Sequence, residues 1–178
     1  MVAKSSREVL EGSLRRPRRD YDKPKNGALN QSKHPRVSLS SGRYRERIKY
    51  VLLDASILML AYEGVDVFRE IERVLDSKPK CLVLKSTLEE LERLVAKAKP
   101  KRRMAARFAL ELVKRYCEVV DYRSRKGEDP DTLFLRFVLE HGDVMPVTAD
   151  NELRRRLREK GIPNIYYRRE RHGLELEG

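Results

Sequence analysis

From about residue 50 onward the apolar residues follow two alternating rhythms. Short continuous runs at Tyr50–Leu53, Cys81–Leu84, Cys117–Val120, Val144–Ala149 and Ile165–Arg168 are separated by longer stretches with apolar positions three and four apart. A short unbroken run suits a strand covered on both faces, and a three-four spacing suits an amphipathic helix. The spacing predicts a short helix after Asp54 and a helix over Val65–Leu75 on Val67, Phe68, Ile71, Val74 and Leu75. It predicts another over Thr87–Ala98, with Thr87 and Glu90 as a capping box and Leu88, Leu91, Leu94 and Val95 as its stripe. Lys99–Arg103 reads as a basic connection, and Met104–Tyr116 as the longest helix, with Ala105, Phe108, Ala109, Leu112 and Val113 inward. After the polar loop Arg123–Asp129 come helices over Asp131–Glu140 and Asn151–Lys160, the latter stopped by Gly161 and Pro163. Leu174–Glu177 reads as a last short edge strand. Strands alternating with helices imply a parallel three-layer α/β/α sandwich with right-handed crossovers. Pro146 fits such a strand only near its start, because proline cannot donate to a ladder.

Residues 1–46 share neither rhythm. They are rich in Gly, Pro, Ser and Asn, and they hold twelve of the 40 basic residues but five of the 28 acidic ones. Such a composition buries too little apolar surface to offset the entropy of ordering. It reads as a basic, low-order arm, densest at Arg15, Arg16, Arg18 and Arg19, preceding one domain at 47–178.

The formal net charge of +12 favours a polyanionic partner, and nucleic acid before an anionic membrane. No apolar run is long enough to span a bilayer, and no apolar segment follows the basic N-terminus, so the expectation is a cytoplasmic protein without a membrane partner. One Gln, no Trp and abundant Arg, Lys and Glu match the usage of hyperthermophiles. Cys81 and Cys117 have no metal-ligand spacing, so a structural zinc site is not expected.

Four carboxylates fall at one kind of place. Asp54 ends the first strand and Asp150 the fourth, Glu90 lies in the first turn of its helix, and Asp131 opens the helix leading to the fourth strand. Each has an ordinary reading as a helix cap or first-turn acid. Gathered at the carboxyl edge of a sheet, where α/β proteins bind ligands, they would repel one another unless a cation neutralised them. An all-oxygen donor set suits Mg²⁺ or Mn²⁺, ions that serve phosphoryl-transfer chemistry. Bases to hold a nucleic-acid backbone and acids to hold a metal together make a coherent nuclease.

From about residue 48 onward the chain resembles the PIN-domain nucleases. The matching segments are Leu53-Asp-Ala-Ser-Ile-Leu58, Ser86-Thr-Leu-Glu-Glu-Leu91, Asp129-Pro-Asp-Thr-Leu133 and Val147-Thr-Ala-Asp-Asn-Glu-Leu153. The resemblance implies that Asp54, Glu90, Asp131 and Asp150 are the catalytic and metal-binding acids, supported by Thr148, Ser56 and Asp129. In the family group with two adjacent acids at the third motif, Pro130 stands here in the first place and Asp129 one further back. The segment Leu153–Tyr167 with Leu174–Gly178 is similar to archaeal PIN proteins related to the eukaryotic small-subunit ribosomal RNA processing nuclease. The resemblance further implies a sheet order of 3-2-1-4-5 with strands one and four adjacent. It would set Cys81 beside Cys117, where a disulfide is geometrically conceivable.

The implied activity is endoribonucleolytic hydrolysis at a Mg²⁺ or Mn²⁺ site, leaving a 5′-phosphate and a 3′-hydroxyl, on ribosomal RNA or at the ribosome. A VapC-type toxin with an antitoxin partner is the rival, and a non-cleaving RNA-binding factor the reading from another class. Family members are often homodimers. Candidate phosphate contacts are Arg154 and Arg155, then Lys101, Arg102 and Arg103, and Arg123–Lys126, besides the arm. Tyr21, Tyr44 and Tyr122 are candidates for stacking on bases.

Overall fold

A computed structural model describes residues 48–178. The arm at 1–46, with Arg15, Arg16, Arg18, Arg19, Tyr21 and Tyr44, lies outside the described residues. The elements follow the order β1 (Tyr50–Leu53), α1 (Ala55–Leu60), a 3₁₀ turn at Ala61–Glu63, α2 (Val67–Leu75), β2 (Lys80–Leu84), α3 (Lys85–Lys97), α4 (Pro100–Tyr116) and β3 (Cys117–Val120). Then come α5 (Pro130–Glu140), β4 (Val144–Thr148), α6 (Asn151–Glu159), β5 (Asn164–Arg168), a second 3₁₀ turn at Arg169–Arg171 and β6 (Gly173–Glu177).

The sheet runs 3-2-1-4-5-6, parallel from β3 to β5, with β6 antiparallel on β5. The expected order 3-2-1-4-5 is therefore extended by one strand, and the sheet is mixed at that edge. The strands read as unbroken apolar runs because both faces are covered. Val51, Leu53, Val83, Met145 and Val147 pack with α1, α2, α3 and α4, whereas Leu52, Leu82, Leu84 and Val144 pack with α5 and α6.

Pro146 is a correction, since it sits in the middle of central β4, opposite Leu52 of β1. Asp54 N donates to Val147 O, so the polar backbone of Val147 faces β1 and that of Pro146, one residue earlier, faces β5. Pairing with β5 starts only at Val147, so the missing N–H costs no ladder bond.

Three helix readings also change. α3 begins directly from β2 at Lys85 with no side-chain cap, so Thr87 is buried inside its first turn and Glu90 is relieved of capping. Lys101, Arg102 and Arg103 are not in a connection but in the first turns of α4, which opens on Pro100 at the position where proline's missing donor is harmless. Phe108 faces outward at 44% exposure beside Tyr62, while Ala106 takes a buried place on that helix. Among the described residues, no helix is long and apolar enough to cross a membrane.

Candidate active site

The chain leaves β3 at one edge and returns to β4 beside β1, and this reversal of strand order opens a crevice at the carboxyl ends of β1 and β4. Asp54 stands at its floor, immediately after β1. Its backbone caps α1, but its side chain makes no cap bond. Instead, the Ser56 hydroxyl donates to Asp54 Oδ2 at 2.5 Å and the Thr148 hydroxyl donates to the same oxygen at 2.9 Å. Each hydroxyl is itself aimed by the backbone past β4: Ala149 N donates to Ser56 Oγ at 3.0 Å, and Asp150 N donates to Thr148 Oγ1 at 3.0 Å. Two main-chain donors thus set two hydroxyls, and both hydroxyls point their protons at one carboxylate oxygen. Thr148 is fully buried, so its orientation has few alternatives.

Three of the four acids sense the charges of their neighbours. Burial pushes the Asp54 carboxyl above its ordinary range; the bonds from Ser56 and Thr148 oppose the rise, and the Asp150 charge adds to it. Glu90 is likewise raised, first by burial and then by the charges of Asp54 and Asp131, with Arg93 and Arg102 opposing. Asp131 is raised by burial, Asp54 and Asp150, with Arg156 opposing. Like charges around a part-buried crevice are costly when no cation is among them.

Asp150 caps α6, accepting from Glu152 N at 2.6 Å and Leu153 N at 3.1 Å. α5 starts at Pro130 rather than Asp131, and its cap is Asp129, not Asp131: Asp129 accepts from the amide and hydroxyl of Thr132. Those bonds hold the Asp129 carboxyl down to about 2 and leave Asp131 free of capping. Among the described residues, no three His, Cys, Asp or Glu side chains stand together as a ready-made cage for a metal ion. In this acid cluster Asp54 and Asp150 are held by protein donors and Asp131 is paired with Arg156. The cluster's oxygen-only donors and mutual repulsion fit a hard divalent cation.

The α6 cations divide three ways. Arg154 bonds Glu177 of β6 and lies 3.4 Å over the Tyr166 ring, fastening the helix to the sheet edge. Arg155 pairs with Glu152 and Glu159 on its own helix. Arg156, which sequence reasoning did not single out, reaches the crevice: it donates to Thr132 Oγ1 at 2.7 Å and lies 3.4 Å from Asp129 and 3.5 Å from Asp131. In a run of three arginines, nothing local marks the one that faces the acids; its position depends on how α6 packs beside α5. Of the remaining basic candidates, Lys101 lies 3.5 Å from Glu63, Arg102 acts electrostatically on Glu90, and Arg103 donates to Ala98 O.

Tyr122 is a packing residue. It meets the Phe137 ring edge-on and donates to Glu140 at 2.5 Å, while the Arg136 guanidinium lies 4.3 Å over its ring. Arg136 also bonds both oxygens of Glu128, at 2.8 and 2.9 Å, and the carbonyl of Arg123. This network fixes the polar loop directly before Asp129.

Fold and site together define an α/β protein with a carboxylate cluster at the switch point of its sheet. The family model described as PIN like domain matches residues 51–170, and the chain belongs to this family. It is 34% identical over 125 residues to "Ribonuclease VapC4" of Methanocaldococcus jannaschii, a match covering 68% of this chain and 92% of that one. It is 29% identical over 126 residues to "Ribonuclease VapC9" of Archaeoglobus fulgidus, covering 70% and 87%. Among solved structures, the PIN domain endonuclease Utp24 superposes with a TM-score of 0.57 at 22% identity, over 72% of this chain and 90% of that one. That likeness is one of fold.

Proposed function

We propose that the protein is a metal-dependent endoribonuclease that hydrolyses phosphodiester bonds in RNA, acting in ribosomal RNA processing. The observation that carries this reading is the convergence on Asp54: two hydroxyls hold its carboxylate, and Glu90, Asp131 and Asp150 act on it or are acted on by it. The ribonucleases similar to this chain support RNA as the substrate.

Asp54, Glu90, Asp131 and Asp150 are the residues that would hold Mg²⁺ or Mn²⁺. When bound, such an ion supplies a water of lowered pKa and neutralises charge building on the phosphoryl oxygens. Ser56 and Thr148 orient Asp54 and keep one of its oxygens occupied. Asp150 is fixed by the start of α6. Arg156 pairs with Asp129 and with Asp131, where an incoming cation would have to displace it, and the positive field of the chain draws the RNA backbone to the crevice.

An RNA cleavage assay with Mn²⁺ against EDTA, on wild type and Asp54→Asn, tests the reading. Cleavage that needs Mn²⁺ and vanishes in Asp54→Asn is expected; equal cleavage by both proteins overturns it. Removing residues 1–46 should flatten the salt dependence of RNA binding, because the slope falls by about one for every phosphate the protein no longer neutralises.

A second reading is a toxin held in check by an antitoxin, supported by the naming of both VapC relatives. The basic residues at 1–46 precede the family match at 51–170 and favour the processing role, because they add a contact surface for structured RNA. Growth arrest on expression, relieved by a small protein encoded beside it, would decide for the toxin.

A further inference from the structure

We infer that Cys81 and Cys117 form a dithiol modification site, which reacts with small-molecule disulfides and closes into an intramolecular disulfide joining β2 to β3. The two residues are direct register partners in neighbouring parallel strands. Register partners point to the same face, and neighbouring strands lie about 4.8 Å apart, inside the Cα separation of about 4.4–6.8 Å that a disulfide spans. Both side chains pack on the face covered by α1–α4, and both are half-buried rather than sealed. Neither is bonded in this structure. β3 is the outermost strand of the sheet, paired on one side only, so it can shift slightly to let the sulfurs close.

The pair is also asymmetric. The Cys117 thiol beside it holds Cys81 below the ordinary thiol range, against burial and the charge of Glu72 on α2, while Cys81 and burial push Cys117 up. The thiolate is the nucleophile in disulfide exchange. Cys81 therefore attacks a disulfide R–S–S–R, forming Cys81–S–S–R and releasing one thiolate, RS⁻. Cys117 gives up its proton and attacks the Cys81 sulfur, breaking the mixed bond and releasing the second. The sum is two protein thiols and one R–S–S–R converted to one protein disulfide and two R–SH. The electrons pass to the small disulfide, and no other oxidant enters.

The site opens at the amino-terminal edge of the sheet, where β2 and β3 begin, away from the acids at the carboxyl edge. The bond would close the chain from 81 to 117, which contains α3 and α4, and so stabilise the domain without touching the crevice. The inference does not rest on the proposed nuclease activity.

The full chain, folded and reduced, is incubated with oxidised glutathione at mildly alkaline pH. Intact mass is expected to fall by about 2 Da with no retained glutathione, as a closed dithiol requires. Non-reducing peptide mapping should link the peptides of Cys81 and Cys117. The Tm should rise by about 5–10 °C and return on reduction. Cys117→Ser should stop at a glutathione adduct on Cys81, since the resolving thiol is gone. A stable glutathione adduct on wild type, disulfide-linked dimers, or oxidation only in denaturant would each overturn the inference.

Discussion

Thr148 donates its hydroxyl proton to Asp54 Oδ2 at 2.9 Å, joining the ends of two neighbouring parallel strands that lie 94 residues apart in the chain. Thr148 is fully buried, and the same hydroxyl oxygen receives Asp150 N. Thr148→Val keeps the shape and removes both interactions. It should cost about 1–3 kcal/mol, because the Asp150 amide loses its acceptor and Asp54 a donor. Calorimetry should show the Tm lowered by about 2–4 °C per kcal/mol. A Tm equal to wild type would mean that water replaces the hydroxyl at no cost.

Asp54→Asn should separate stability from activity. Burial raises the Asp54 carboxyl above its ordinary 3.8. The folded chain therefore holds this proton more tightly than the unfolded chain does. The group's stabilising contribution is complete below the ordinary carboxylate range and is lost as pH rises through the raised value. At neutral pH, without metal, the ionised group is a cost that Asn removes, and the Asn oxygen can still accept from Ser56 and Thr148. The Tm should rise, while RNA cleavage falls about 10²–10³-fold. A lowered Tm would show that the carboxylate is held more favourably than its surroundings imply.

Divalent cations should stabilise the wild type, because a ligand that binds only the folded chain raises its stability with concentration. At about 100 times the dissociation constant the gain is about 2.7 kcal/mol. Thermal unfolding in Mn²⁺ should shift wild type upward and leave Asp54→Asn, or the double variant Glu90→Gln with Asp131→Asn, nearly unmoved. Equal shifts in all three would place the ion elsewhere.

Arg156 lies 3.5 Å from Asp131 and competes with any cation for it. Arg156→Ala should lower the half-saturating Mn²⁺ in the same unfolding assay by about two- to fivefold, the scale of one part-exposed ion pair. A raised requirement for Mn²⁺ would instead make Arg156 a support that the metal needs.

The Glu128–Arg136 pair should give the fold a defined acid limb. Arg136, with the Arg125 amide, holds the Glu128 carboxyl down to about 2. A depressed carboxylate contributes stability above its ordinary 4.5, and this is lost as pH falls through about 2. The Tm difference between wild type and Glu128→Gln should stay constant near neutral pH and disappear by about pH 2. A difference that persists in acid would reassign the effect to packing.

The sequence by itself determined the strands, the helix faces apart from that of Phe108 on α4, and the positions of the acids. Unbroken runs such as Val51–Leu53 leave a strand no exposed face, and the spacing Leu133, Phe134, Phe137, Val138 admits one buried helix stripe. An acid directly after a strand is likewise a local fact, so Asp54 and Asp150 could be read from their neighbours. Which of these acids is a cap could not. Glu90 follows Thr87 at capping-box spacing, but α3 starts earlier because the chain turns straight out of β2, and that depends on where β2 ends in the sheet. Nor could local pattern show that Pro146 is tolerated in mid-strand, since this rests on how far β5 extends alongside. Periodicity and composition could not show the hydroxyl bonds onto Asp54 or the choice of Arg156 among three consecutive arginines, and the facing of Cys81 and Cys117, which the family resemblance implied, follows from strand register. Apart from Ser56, two residues from Asp54, each is a meeting of residues far apart in the chain. Such meetings are set by strand register and helix packing, which composition and periodicity do not encode.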